Sequence, residues 1–351
     1  MASCRRVPKP GPGRATVWTA AAAAAASAAA LGAGSAGAEP RDPADGHLTA
    51  RLLSDRIERL YVQAERATER YNAAETRTEG LRRQVDRIQD RVARAQERVN
   101  RMRVALGAFA GGQYRSGGLD PGLALLLSEE PAAYLDKATT LERIGHRQSA
   151  QLRVLQGARR TLSQQRAAAA ARLVRLEYSR KAVARHKRDV QRKLAIARRL
   201  VNILPPGERE AYDRASRHGR DAYGVPGALA GSLPPSSPRA ATAFGAARAA
   251  LGLPYAWGQA GPTAFDCSGL TQWAYARAGV AIPRTSQAQS GAGQRVPLSQ
   301  ARPGDLVVYR ADGSHVAMYA GNGQVIHAPH PGARVRYDPV GMMPISSVTR
   351  V

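Results

Sequence analysis

From Leu53 to Leu106 the chain keeps one spacing: Leu53, Ile57, Leu60, Ala64, Ala67, Tyr71, Ala74, Thr78, Leu81, Val85, Ile88, Val92, Ala95, Val99, Met102 and Leu106 alternate by four and three. The positions between them are mostly Arg, Glu, Gln and Asp, with no proline and only Gly80 as a weak point. An apolar seam of this period can be buried only against another helix, so the pattern predicts a coiled coil. The Gly-rich string GGQYRSGGLDPG that follows predicts the end of this helix.

A second helical stretch is expected from about Ala132 to Leu204. Leu141, Gln148, Leu155, Leu162, Ala169, Leu176, Val183, Val190, Ala197 and Leu204 recur every seventh residue. Their companion column (Ile144, Gln151, Ala158, Gln165) is mixed, which predicts a looser seam. Two long helices joined by a compact connector suggest an antiparallel hairpin over residues 48–204. The apolar connector, LALLLS and PAAYLD, suits either packing at the hairpin tip or docking of a partner. PPGERE stops the second helix, and Pro, Gly and Ser mark 205–240 as a linker. Residues 241–351 change texture to short apolar runs and turns, an α+β pattern with helices first and strands after.

The first 38 residues are set aside as a leader. Arg5, Arg6, Lys9 and Arg14 precede an Ala-rich apolar run that ends in Ala36-Gly37-Ala38, the form of a cleaved signal peptide; an uncleaved membrane anchor is the alternative. No later run approaches a membrane span, so the protein is expected to be secreted. Net charge is +25, from 52 Lys and Arg against 27 Asp and Glu. Most of the excess lies in residues 39–240. A stretch so basic is either a solvated helical surface or is drawn to anionic wall polymers or a membrane surface. Nucleic acid is not an expected partner of an exported chain.

Export makes Cys267 conspicuous. The other cysteine, Cys4, falls in the leader, so Cys267 has no intrachain partner after cleavage. It is either a small buried hydrophobe or a reactive thiol. In DCSGLTQWAYARAG, Asp266 can cap a helix N-terminus, Leu270, Trp273 and Ala274 can form its apolar face, and Gly279 can end it. Cys267 then lies in the first turn, where amides and the helix dipole lower a thiol's pKa, which favours a nucleophile. A general acid–base is still required. Downstream, DLVVYR, HVAMYAG and QVIHAP read as antiparallel strands turned at Asp312-Gly313 and Asn322-Gly323. A strict two-residue Asn-Gly turn pairs Met318 with His327 and puts His315 and His327 on opposite faces. A three-residue Gly-Asn-Gly loop pairs Ala317 with His327 and puts both rings on one face. A cysteine–histidine–histidine triad requires the second register, which is the one expected. His330 reads as loop and Trp257 as packing. Cys267, His315 and His327 could also be three metal ligands, but no CxxC or HExxH spacing supports a site, and neither metal nor cofactor is expected.

The string LGLPYAWGQAGPTAFDCSGLTQWAYARAGVAIPRTS, with RPGDLVVYR, SHVAMYAGNG and VIHAP behind it, resembles the NlpC/p-sixty family of papain-like cysteine peptidases across 241–351. The resemblance implies a papain-like α+β fold, N-terminal helices packed on an antiparallel sheet. It implies Cys267 as nucleophile, His315 as base and His327 as third polar member. Tyr255 would hold the oxyanion or substrate backbone, while Asp266, Ser268, Arg284 and Ser286 would line the substrate side. Asp266 also has a structural reason to be present, as a helix cap. The substrate implied is the peptidoglycan stem peptide, cut between γ-linked D-glutamate and the diamino acid. The layout of leader, hairpin, linker and catalytic domain is similar to division-associated wall hydrolases, some of which dock a coiled coil on an FtsEX-like membrane division complex. Two other classes stay open: a coiled-coil scaffold using the domain to bind wall, and a thiol amidase or acyltransferase of the same fold. If the hairpin restrains the cleft, the isolated domain is expected to outpace the longer chain.

Overall fold

The computed structural model describes residues 43–115, 131–217 and 234–351. The expected leader and the LALLLS connector lie outside the described residues. Helices α1 (Pro43–Arg115) and α2 (Pro131–Ile203) each run for 73 residues, about 110 Å at the α-helical rise. Their pairing is antiparallel. Ala64 and Ala67 pack with Val190 and Leu194, Thr78 hydrogen-bonds Ser179, and Arg166 donates to Gln96. Heptad positions Ile57, Leu60, Ala64, Ala67, Val85, Ile88 and Val99 are buried, and so are Leu162, Leu176, Val190 and Ala197 opposite them. The distal half is looser, as the mixed column of α2 predicts: Met102, Leu106, Ile144, Gln148 and Leu155 are only half-buried, and Gln151 is exposed. Helix α1 continues through Gly111 and Gly112 to Arg115 instead of stopping before them. Each glycine costs roughly 1 kcal/mol of helix propensity against alanine, too little to end a long helix at once.

The prolines at 205 and 206 do stop α2. Pro206 also opens a new helix, α3 (Pro206–Arg217), inside the stretch expected to be linker. Proline suits a first helical turn, where its missing N–H is not needed. Helix α4 (Pro238–Ala249) begins the same way, with the Ser237 side chain accepting from the Ala240 N–H. Then follow α5 (Cys267–Arg277), α6 (Ser286–Gln289), β1 (Gln294–Val296), β2 (Leu306–Tyr309), β3 (His315–Gly321), β4 (Gln324–His327), β5 (Arg336–Pro339) and β6 (Ile345–Arg350). The strands form one antiparallel sheet in the order β1-β6-β2-β3-β4-β5. Ala243 and Ala247 of α4 and Leu270 and Ala274 of α5 pack on Val308, Val316, Met318 and Ile326. The neighbouring strand residues Val307, Ala317, Val325 and Val348 cover the other face. Burial of each such aliphatic side chain contributes roughly 1.5–3 kcal/mol, so the sheet is held from both sides.

The β3–β4 register decides where the histidines lie. Met318 pairs with Ile326 and Tyr319 with Val325. His327 is therefore level with Ala317, the expected pairing, and His315 is its diagonal neighbour on the same face. The turn reaches this register by a different route. Asn322 (φ 51°) and Gly323 (φ 71°) form a tight two-residue turn closed by Gly321 and Gln324, and a bulge between Tyr319 and Gly321 supplies the one-residue shift.

Candidate active site

Asp266 caps α5 by accepting from the Gly269 N–H at 2.7 Å. Cys267 is thus the first residue of that helix, beside the end of β3. The sulfur of Cys267, a carboxylate oxygen of Glu65 and a ring nitrogen of His315 all lie within 4.8 Å of one another. His315 Nε2 is 2.8 Å from His327 Nδ1, with the rings nearly perpendicular. Cys267, His315 and His327, more than fifty residues apart at the extremes, are brought into one buried row.

Two further members of that row were not anticipated. Asp338 Oδ2 sits 2.7 Å from His327 Nε2 and accepts from Arg336 Nε at 2.9 Å. The β4–β5 register explains this: His327 pairs with Arg336 and Val325 with Asp338, so Asp338 is the diagonal neighbour of His327 on the same face. Asp338 stays below the usual carboxylate range, because His327 and Arg336 outweigh the upward push of burial. Burial lowers His327 to about 4, so it is neutral near pH 7.

The side facing Cys267 is occupied by α1. Glu65, Thr68, Glu69 and Asn72 recur at helical spacing and are all buried. One Glu65 oxygen bonds His315 Nδ1, and the other accepts from Arg310. Glu69 accepts from the Ser268 hydroxyl at 2.7 Å, the Ser286 N–H at 2.9 Å and, more weakly, the Cys267 thiol at 3.7 Å. Asn72 donates to Asp266. Around this core Tyr71 meets Trp257 edge-on, Arg66 pairs with Asp312, and Tyr61 stacks on His330. His330, expected to be only loop, is therefore part of the contact with the hairpin. A cavity of about 440 Å³ remains beside it, lined by Tyr61, Tyr212, Arg310, His327 and Asp338.

The residues expected on the substrate side do gather here. Arg284 donates to both oxygens of Asp266 and to Ser268. The hydroxyl of Ser286 donates to the Gly313 carbonyl at 2.6 Å. Asp266 is saturated, since it also accepts from the Gly258 N–H. Tyr255 is buried in the same apolar cluster as Cys267.

Electrostatics run against the lowered thiol pKa expected from the helix N-terminus. Burial, then Glu69, Glu65 and Asp266, hold Cys267 well above the ordinary thiol range. Glu69 is itself raised to about 7 by burial and by Asp266, against the pull of Ser268, Ser286 and Arg284. Glu65 is lowered, because His315 and Arg310 outweigh burial. With α1 in place the cysteine is a neutral thiol. Among the described residues, Glu65, Cys267 and His315 are the one set whose donors are close enough to hold a metal ion, and two of the three already bond each other.

Glu65, Glu69 and Arg310 were not anticipated as site residues. Glu65 and Glu69 flank the heptad seam, where charged residues ordinarily face water. The available signal was a stripe of Glu, Thr, Glu and Asn at 65, 68, 69 and 72, without a basic residue, in an Arg-rich helix.

Residues 252–349 match the NlpC/P60 family. A probable endopeptidase of Corynebacterium glutamicum is 47% identical over 105 residues, which cover 30% of this chain and 50% of that protein. The probable endopeptidase p60 of Listeria monocytogenes is 52% identical over 90 residues, 25% of this chain and 18% of the other. The chain thus spans half or less of the length of these curated relatives. The crystal structure of a P60 domain from an antigen of M. avium subspecies paratuberculosis is 38% identical, covering 32% of this chain and 93% of that one, with a TM-score of 0.30. The antiparallel sheet, the helix that opens on Cys267 and the sequence between them make residues 252–349 an NlpC/P60 family domain, carried behind a coiled-coil hairpin.

Proposed function

We propose that this protein is a secreted cysteine peptidase of the cell wall, cutting peptidoglycan stem peptides between D-glutamate and the diamino acid. The observation that carries the chemistry is the row Cys267, His315, His327, with sulfur and imidazole within 4.8 Å and the two rings hydrogen-bonded. When α1 is away, His315 Nδ1 is free to take the Cys267 proton. The thiolate then attacks the amide carbonyl, and the charge developing on oxygen is met by the Cys267 N–H at the helix start and by Tyr255. His315 returns the proton to the leaving amine, and water hydrolyses the thioester with His315 again as base. The Ser268 hydroxyl and the Ser286 N–H, which now hold the Glu69 carboxylate, and Arg284, which donates to Ser268, are the polar groups a stem peptide would meet. The probable endopeptidases among the relatives support this reading.

The hairpin belongs to the same proposal as an autoinhibitor. Glu65 takes the place of the thiolate as the anionic partner of His315, and Glu69 fills the ground beside Ser268. No helix among the described residues is long and apolar enough to cross a membrane; wall polymers, a membrane surface or an FtsEX-like complex remain proposed partners of the basic hairpin. Digestion of purified sacculi separates the classes. New fragments ending in D-glutamate, absent with Cys267→Ala, support the endopeptidase. Read in chains opened by Glu65→Ala with Glu69→Ala, release that survives Cys267→Ala overturns the thiol endopeptidase, no release by either protein favours the wall-binding scaffold, and products cut at another bond favour an amidase or acyltransferase.

A further inference from the structure

We propose that Asp338 is a positioning residue that sets the proton positions on both histidines, and so decides which nitrogen of His315 can act as the base. This rests on the thiol-peptidase reading of the site.

Each nitrogen in the row has one partner, so the protons can be placed in sequence. The Asp338 carboxylate accepts from Arg336 and has no proton to give, so His327 Nε2, 2.7 Å away, must be the donor. His327 is neutral, with burial lowering it to about 4. A neutral imidazole with its proton on Nε2 has a lone pair on Nδ1. That lone pair faces His315 Nε2 at 2.8 Å, so His315 Nε2 must donate. The remaining nitrogen of His315, Nδ1, is the one turned to Glu65 in the closed state. There the Glu65 carboxylate, paired with Arg310, has no proton to give either, so Nδ1 donates to it. Once Glu65 has left, the Nδ1 proton passes to water, and His315 keeps its proton on Nε2 and presents an unprotonated Nδ1 to the sulfur.

The opposite assignment disables the site. With the proton on His327 Nδ1, His315 Nε2 becomes the acceptor. Its Nδ1 then carries the hydrogen, and no base faces Cys267. Nothing in the His315–His327 pair selects between these states. Asp338 does, from the far end of the row, without contact to substrate or to Cys267.

The test reads the protons directly. In the full chain opened by Glu65→Ala with Glu69→Ala and carrying ¹⁵N-labelled histidine, two-bond nitrogen–proton correlations report the tautomer of His327. The wild type is expected to show the Nε2–H form and Asp338→Ala a mixture or the Nδ1–H form. Asp338→Asn is expected to keep the Nε2–H form, since one amide oxygen can receive both His327 and Arg336, as Oδ2 does now. Turnover of sacculi is read in chains carrying Glu65→Ala and Glu69→Ala to open the cleft. Asp338→Ala should lower kcat about 10²-fold, in the range general acid–base catalysis contributes, with KM changed less than about twofold. Asp338→Asn should restore most of that loss. An unchanged His327 tautomer in a folded Asp338→Ala chain, or a changed tautomer with full turnover, overturns the proposal. If the tautomers shift as expected but no chain cuts stem peptides, tautomer control by Asp338 stands and the endopeptidase reading falls.

Discussion

At Cys267 the amides of the α5 N-terminus favour the thiolate, while burial and the carboxylates of Glu69, Glu65 and Asp266 oppose it. The opposition depends on α1, which supplies two of those three carboxylates. Alkylation of the full chain by iodoacetamide should therefore be slow, and Glu65→Ala with Glu69→Ala should accelerate it at least about tenfold, as the thiolate becomes available. Glu69 also gives the contact a pH dependence. Its pKa rises from an ordinary 4.5 to about 7 on docking, so its contribution is fully present below 4.5 and lost as pH rises through 7. The groups facing it are Asp266, Cys267, Ser268, Arg284 and the Ser286 N–H. Glu65 acts with the opposite sign, since its lowered pKa withdraws stability only as pH falls below the ordinary range. The closed state should accordingly loosen between pH 5 and 8, by roughly 3 kcal/mol if the whole Glu69 shift is expressed. Measured as the activity of the full chain relative to the Glu65→Ala, Glu69→Ala chain, the ratio should climb across that interval. Glu69→Gln should flatten it.

At the scale of the element, one stretch of α1 serves two partners. Ala64 and Ala67 face Val190 and Leu194 of α2, while Glu65, Thr68, Glu69 and Asn72 enter the domain. The second face is polar and imperfectly satisfied: among the described residues the Thr68 hydroxyl and Asn72 Oδ1 are buried without a hydrogen-bond partner. An unpaired buried group costs roughly 1–3 kcal/mol, which keeps the contact reversible. Thr68→Val, of nearly the same shape without the hydroxyl, should tighten closure and lower the basal activity of the full chain several-fold, with the activity of the separate domain as control. The parts of the site fixed by local chemistry were legible in the sequence. Asp266 as a cap, Cys267 in the first helical turn and the shared face of His315 and His327 each follow from a few adjacent residues. The route to that face was not, because a bulge at Ala320 carries no composition signal distinct from a longer loop. Asp338 was hidden for a related reason: its place beside His327 depends on the β4–β5 register, and the connector APHPGARV is too long for its Pro-Gly step to set one.

At the scale of the molecule, the heptads predicted the hairpin and the last hundred residues predicted the domain, but neither predicted where they meet. Periodicity reports which residues of a helix are buried by its neighbour along the same axis. It is silent on a second contact some two hundred residues away in sequence, such as Glu69 with Ser268. On the proposed reading, release of α1 precedes catalysis, and the trigger lies in whatever binds the basic hairpin. The decisive measurement compares three versions of residues 39–351 on purified sacculi: wild type, Glu65→Ala with Glu69→Ala, and that pair with Cys267→Ala. Autoinhibition of a thiol endopeptidase predicts that the opened chain releases fragments ending in D-glutamate at least about tenfold faster than wild type, and that loss of the thiol abolishes the release. An opened chain no faster than wild type, or release that survives Cys267→Ala, would contradict it.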